Sequence, residues 1–303
     1  MSLAALLDAL PIPIIQAPMV GASLDGLALA VNEAGGMGTL AGGALAPADL
    51  AATITAIKAA SDRPFGVNLL MTSKVSPDAA TVEAALARLA PWYAQLGAPL
   101  PAAPNQYAPD FDAQLAAIAE TAPAVASFTF SILTRDQVQT LQAAGTYVVG
   151  TATTVAEAKA WADVGADGIC AQGFEAGGHR GHFLAEVDAS LVGTMALVAT
   201  IRAAVDLPVI AAGGIMDGRG VAAALALGAA AVQMGTAFMQ SAEASTSKPW
   251  RRALETAGDD PTVLTRAFTG RHARGVENRF MREMRSVEND VPAYPVQLSL
   301  IHI

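Results

Sequence analysis

The sequence predicts a (β/α)8 TIM barrel with a lid-like insertion and a C-terminal extension. Short aliphatic runs alternate with Ala-rich stretches of helical period, eight such runs occur, and glycines or capping residues punctuate the junctions. Buried parallel strands joined by helices suit either an open doubly wound sheet or a closed barrel, and eight repeats in 303 residues favour closure. Composition points the same way. Hydrophobic residues make up 53% of the chain and charged residues 15%, well below the roughly 25% charge of an average globular protein, as expected when strands are covered on both faces.

Strands are expected at 14–17, 37–40, 65–69, 125–130, 147–150, 168–171, 208–211 and 231–234. Three of the intervening helices have start signals with a mechanism. Thr134 with Gln137, and Thr154 with Glu157, have the spacing of a capping box, and Ser76 stands ahead of Pro77. Gly35, Gly145, Gly165 and Gly228 each follow an apolar helix and precede a strand, where a left-handed residue turns the chain back. From Pro91 to Pro109 a Pro-rich stretch breaks the rhythm. It opens an insertion, 91–122, expected to lie over the barrel mouth. The barrel is expected to occupy 1–240, and the more highly charged stretch 241–303 to form an extension packed on it.

Several function classes drop out on composition. With 18 Lys+Arg against 27 Asp+Glu, the net charge of -9 leaves no basic footprint for nucleic acid. Cys170 is the single cysteine, which excludes an internal disulfide and a thiolate metal site and points to a reducing, cytoplasmic setting. The opening residues lack a positive n-region and are broken by Asp8, Pro11 and Pro13, unlike a signal peptide. No charged residue occurs from 221 to 242, a length near that of a membrane span, but Gly228 and Gly235 divide this stretch into a helix, a turn and a buried strand.

Barrel chemistry collects at the carboxyl ends of the strands, and phosphate sites are often built by the loops after strands seven and eight. Those loops carry Gly213-Gly214 and Gly235-Thr236, where close backbone N–H groups and one hydroxyl suit an anion. The ordinary alternative is a pair of tight turns. Strand six runs into a loop with four glycines around His179, an imidazole that titrates near neutrality and is the leading proton-transfer candidate. A surface-loop histidine is the plainer reading. Asn68 and Gln172 place amides at strand ends, able to donate and accept at once as a flavin ring edge requires, and Pro18-Met19 turns the chain after strand one. These same residues also suit loop capping or core filling. A metal set of His179, His182, Glu175 and Glu186 is disfavoured because a glycine-rich loop does not fix ligands, so no metal is expected. Cys170 reads as an inert buried thiol. Two motifs are set aside. The run 36–41 matches a dinucleotide fingerprint but follows a helix rather than a strand, and Ser245 to Lys248 matches S-x-x-K without its companion elements.

Five separated motifs, QAPMVG at 16–21, FGVNL at 65–69, AQGFEAGGHRG at 171–181, PVIAAGGIMDGRG at 208–220 and VQMGTAF at 232–238, together resemble the nitronate monooxygenase family. SFTF at 127–130, AFTGRHARGVENRF at 267–280 and the pair Tyr294-Pro295 are also similar to that family. The resemblance implies an FMN-dependent barrel that oxidises alkyl nitronates such as propionate 3-nitronate with O2, releasing nitrite and a carbonyl product. It further implies that Pro18, Met19, Asn68, Gln172 and Gly178 line the flavin ring and that Gly213, Gly214, Gly235 and Thr236 hold its phosphate. His179 would face the substrate, with Tyr107 and Ser127 as substrate contacts. Two related patterns compete: an FMN-dependent enoyl-[acyl-carrier-protein] reductase, which usually has Glu at the position of Gln172, and an NADH:quinone reductase. A barrel that binds a phosphorylated ligand without catalysis is the alternative outside enzymes. Many family members continue further past the Tyr-Pro pair, which leaves in doubt any site group drawn from such a tail. The oligomeric state is left open, with a homodimer as the candidate.

Overall fold

Eight short parallel strands wrap into a barrel whose outer face is covered by the helices that connect them. The computed structural model describes residues 1–72, 74–258 and 262–301. In chain order its elements are α1 (Leu3–Asp8), β1 (Ile14–Gln16), α2 (Asp25–Glu33), β2 (Thr39–Ala41), α3 (Pro47–Ala60), β3 (Gly66–Leu70), α4 (Ala79–Gln95), α5 (Phe111–Thr121), β4 (Val125–Thr129), α6 (Arg135–Ala143), β5 (Tyr147–Ala152) and α7 (Val155–Val164). There follow β6 (Gly168–Gln172), β7 (Gly178–His179), α8 (Thr194–Arg202), β8 (Val209–Ala212), α9 (Gly218–Ala226), β9 (Ala231–Met234), α10 (Lys248–Glu255), β10 (Thr262–Thr265), β11 (Ala273–Val276), α11 (Arg279–Met284) and α12 (Val296–Leu300). The barrel order is β1-β9-β8-β6-β5-β4-β3-β2. A parallel bridge from Ile15 to Met37 brings its two edges together. No helix among the described residues is long and apolar enough to cross a membrane.

Strand alternation explains where the site forms. Val67, Leu69, Ala126, Phe128, Val148, Ile169, Ala171, Val209 and Ala211 share a core with the helices. Their neighbours of opposite parity, including Val125, Val149, Cys170, Ile210 and Ala231, form a separate inner core, which α1 joins with Leu3 and Leu7. Further along the same inward parity the residues become polar: Asn68 on β3, Ser127 and Thr129 on β4, Thr151 on β5 and Gln172 on β6. The barrel interior is therefore apolar toward the strand starts and hydrogen-bonding toward their carboxyl ends.

The expected strands all form, with local shifts. The second begins at Thr39 rather than Met37, because Gly36 and Gly38 are pressed onto α2 and β1. A Cβ on Gly38 would sit 2.1 Å from the Ala28 carbonyl oxygen. The glycines of the rejected dinucleotide motif thus serve helix–strand contact. Thr134 and Gln137 make a complete capping box, whereas at Thr154 only half forms. Glu157 instead turns its carboxylate to Thr153 and to the N–H groups of Phe183 and Leu184 at 2.6 and 3.1 Å, so it secures the loop after His179. The helix expected after Ser76 starts later, with Asp78 as its cap, and runs through Pro91. Gly35, Gly145, Gly165 and Gly228 all have positive φ, as expected.

A second sheet of β10, β11 and β7 pairs antiparallel, with Ala273 opposite His179. Residues of α4, α11 and α12 share one further apolar cluster, which Tyr107 joins from the 96–110 connection. The Tyr93 hydroxyl donates to the Leu300 carbonyl at 3.1 Å, and Ser299 Oγ to the Tyr107 carbonyl at 2.8 Å. Residues 259–261 and 302–303 of the expected extension lie outside the described residues.

One glycine tests the barrel packing. A Cβ on Gly150 would lie 2.0 Å from the indole of Trp161, which is fully buried and donates to the Thr151 carbonyl at 3.2 Å. Gly150→Ala is expected to lower stability by about 1–3 kcal/mol or more, the usual cost of overpacking, measured as a reduced urea midpoint. An unchanged midpoint would contradict this packing.

Candidate active site

The loops at the carboxyl ends of four strands meet. A Cβ on Gly235, after β9, would be 3.6 Å from Met19 Sδ and from Ala17 Cβ after β1, and one on Gly177, after β6, 3.6 Å from Thr236 Oγ1. A Cβ on Gly213, after β8, would approach the Ala176 nitrogen to 2.8 Å and Thr194 Oγ1 to 3.0 Å. Gly213 and Gly214 have φ of 117° and 70°, backbone that L side chains rarely adopt. Asp217 caps α9 just beyond, accepting from the Arg219 and Gly220 N–H groups. Among the described residues, the N–H groups of Gly213, Gly214, Gly235 and Thr236 make no backbone hydrogen bond in these turns. Open donors at adjacent strand ends form the kind of cradle a phosphate occupies.

The glycine-rich loop after β6 is held by the last residue of that strand. Gln172 Nε2 donates to the His179 carbonyl at 2.9 Å, while its Oε1 accepts from the Gly181 N–H at 2.8 Å and from the Arg180 guanidinium at 3.1 Å. Arg180, fully buried, also donates to the carbonyls of Gly173 and Ser190 at 2.6 and 2.8 Å. Glu175 accepts from the Thr194 N–H and hydroxyl, both at 2.9 Å, which fixes the middle of the loop to the start of α8. No group of three or more metal-binding side chains occurs among the described residues. Cys170 is buried, and burial pushes its thiol up to about 12.

Asn68 Nδ2 donates to Ser127 Oγ at 3.0 Å, to its carbonyl at 3.1 Å and to Thr129 Oγ1 at 3.3 Å; Thr129 in turn contacts Thr151 Oγ1 at 3.1 Å. This chain spans the upper barrel from β3 to β5. The Met19 N–H donates to Ser23 Oγ at 2.7 Å, which sets the turn that also carries the half-buried Pro18. Gly178 has positive φ and pairs opposite Arg274.

His179 sits in an aromatic cage. Its ring lies edge-to-face with Phe130 at 5.5 Å and with Tyr294 at 5.4 Å, and these two contact each other at 5.3 Å. Its Nε2 is 2.8 Å from Thr269 Oγ1. The Arg271 guanidinium stacks 4.2 Å from the Phe130 centroid and donates to the Arg180 carbonyl at 3.2 Å and to that of His182. No carboxylate forms an ion pair with Arg271 among the described residues. Phe130 has φ of +88°, a conformation costing about 1–3 kcal/mol that persists only where its surroundings enforce it. Burial, and then the Arg271 charge, push His179 down to about 4, so its ring is neutral near pH 7. Burial raises Tyr294 to about 12, which keeps its hydroxyl protonated.

Sequence motifs contained Thr269, Arg271, Phe130 and Tyr294 without revealing a role for them. Phe130 reaches His179 from the end of β4, and the other three arrive only when the C-terminal segment folds back, 90 residues away in the case of Thr269. Tyr107 sits apart from the cage, in the cluster shared by α4 and the C-terminal helices. No hydrogen bond or ring contact among the described residues joins it to His179.

His182 is also held near about 4, by burial and then by Arg271. The folded chain thus binds fewer protons than the unfolded one from pH 6.5 to about 4. Stability present above pH 6.5 should be lost as pH falls through that window, each proton contributing up to about 1.4 kcal/mol per pH unit. Urea midpoints taken from pH 7 to 4.5 should fall, and His179→Ala should flatten the slope by about one proton. Equal slopes for both proteins would contradict a His179 held neutral in the folded chain.

Comparison with known proteins places this geometry. The family model described as nitronate monooxygenase matches residues 4–302. A probable nitronate monooxygenase from Staphylococcus aureus (strain Newman) is 41% identical over 289 residues, covering 95% of this chain and 81% of that protein. The solved structure of a nitroalkane oxidase from Streptomyces ansochromogenes superposes with a TM-score of 0.88 at 42% identity, covering 98% of this chain and 85% of the other. FabK from Thermotoga maritima gives 0.73 at 32% identity, over 94% and 77%. With matched relatives along its length and their barrel architecture, the chain belongs to the nitronate monooxygenase family of oxidoreductases.

Proposed function

We propose that this enzyme uses FMN to oxidise alkyl nitronates, such as propionate 3-nitronate, with O2, releasing nitrite and a carbonyl product. One observation carries the reading: a neutral imidazole, and a guanidinium with no ion-pair partner among the described residues, share an aromatic cage beside the loop that also abuts the two glycine turns. The open N–H groups of Gly213, Gly214, Gly235 and Thr236 fit the FMN phosphate. Pro18, Met19, Asn68, Gln172 and Gly178 would line the ring, and bound flavin would supply electron transfer.

The chain's own residues bind and orient the substrate. Arg271 puts positive potential beside the cage, which favours an anionic nitronate over its neutral parent. Phe130 and Tyr294 exclude water around it, and the Tyr294 hydroxyl is a donor for a nitro oxygen. For a neutral nitroalkane, His179 takes the proton from the carbon bearing the nitro group. Ser127 lies at the Asn68 end of the polar chain as a substrate contact, with Tyr107 as a more distant one from the 91–122 insertion. Function in the cytoplasm and assembly as a homodimer belong to the same reading.

The purified protein should be yellow and release FMN on denaturation. In air it should release nitrite from propionate 3-nitronate without added NADH. His179→Ala should retain FMN and lose about 10²–10⁴-fold on neutral nitroalkanes, the range a positioned base contributes. A colourless protein that FMN does not reconstitute, or unchanged turnover in His179→Ala, would refute the reading. Rapid anaerobic bleaching by NADH with no nitrite formed would instead mark a reductase.

A further inference from the structure

We propose that Thr269 fixes His179 as its Nε2–H tautomer, leaving Nδ1 as the nitrogen that accepts the substrate's proton. The proposal rests on the catalytic reading of His179 given above, and its evidence is a count of hydrogens. The Thr269 hydroxyl has one proton to give and two neighbours that could take it, His179 Nε2 at 2.8 Å and the Arg271 carbonyl at 3.1 Å. If the proton went to Nε2, the Arg271 carbonyl would lose its hydrogen-bond donor, for none other reaches it among the described residues. The ring proton would then sit on Nδ1, which has no acceptor among those residues. If the proton goes to Arg271, Thr269 Oγ1 accepts from Nε2–H and all three groups are satisfied. Only a lone pair, on Nδ1, is left without a partner.

The turn that presents Thr269 is rigid enough for this role. Thr269 is 8% exposed, and its N–H and that of Gly270 donate to the Arg266 carbonyl at 3.2 and 2.8 Å. The Arg271 N–H approaches Thr269 Oγ1 at 3.4 Å, which takes up one acceptor position of the oxygen and leaves the other to face His179 Nε2. Gly270 has φ of 82°, and a Cβ there would lie 2.0 Å from the Pro292 carbonyl oxygen, so the turn rests directly on the segment that carries Tyr294. Gln297 Nε2 and Thr265 Oγ1 hold the backbone of Ala267 at 3.0 Å each. Thr269 is therefore a positioning residue that acts through the imidazole. In the step it prepares, the C–H bond beside the nitro group breaks, its electron pair passes into the nitro group to give the nitronate, and the proton forms a bond to Nδ1.

The tautomer is read directly by long-range ¹H–¹⁵N correlation in the full chain labelled with ¹⁵N-histidine, the His179 signals being those lost in His179→Ala. At pH 7, with and without FMN, Nε2 should be protonated and Nδ1 bare. Thr269→Ser should keep that pattern, while Thr269→Val should give a mixture of tautomers. Thr269→Val should also lower kcat/KM on a neutral nitroalkane about tenfold or more, part of the roughly 10²–10⁴-fold supplied by a positioned base, with little effect on preformed nitronate. Protonated Nδ1 in the unsubstituted protein, or a single unchanged tautomer in Thr269→Val, would overturn the proposal even if nitronate turnover is intact. Loss of activity in every form, with the tautomer as expected, would count against the functional reading and leave the assignment standing.

Discussion

The site depends on one amide. Gln172 stands where β6 leaves the barrel, and its side chain holds both the His179 carbonyl and the Gly181 N–H. A loop with four glycines has little conformational preference of its own, so its ordering entropy is offset by these few contacts. Arg180 adds to them from below, and Glu157 secures the next residues. Because Gln172 has an inward-facing position on a rigid strand, the precision of the barrel passes to an otherwise permissive segment. That transfer lets glycines give the backbone close access to neighbouring loops without surrendering the placement of the imidazole.

Electrostatics follow from the same arrangement. Arg271 is half-buried and forms no ion pair with a carboxylate among the described residues; two backbone carbonyls and the face of Phe130 hold its guanidinium instead. Burial first, and then the Arg271 charge, depress the neighbouring imidazole, and on the proposed reading the same charge would favour an anion in the cage. A nitronate is an anion that must shed electrons, whereas a neutral nitroalkane must first shed a proton. On the proposed reading, a half-buried guanidinium beside a neutral imidazole would suit either kind of substrate, and the φ of +88° at Phe130 is the backbone strain seen where they meet.

Much of the barrel was legible because strand and helix periods are local. All eight strands, the four glycine C-termini and the Thr134 capping box follow from residues within a few positions of one another. The two glycine turns were visible for the same reason, since Gly213-Gly214 and Gly235-Thr236 directly follow their strands. The aromatic cage was not. It joins β4, the β6 loop and a turn between β10 and β11, and nothing local to His179 announces Thr269 or Arg271. The sheet of β7, β10 and β11 was hidden too, because a two-residue strand has no readable alternation. The half-formed box at Thr154 shows the converse case, where a local signal is overridden when Glu157 finds better donors across the fold.

The most direct measurement is a crystal structure of the protein purified with FMN. The phosphate is expected against the N–H groups of Gly213, Gly214, Gly235 and Thr236, and the isoalloxazine beside His179, with the imidazole between ring and aromatic cage. A phosphate bound elsewhere, or a flavin ring out of contact with His179, would contradict the central assignment.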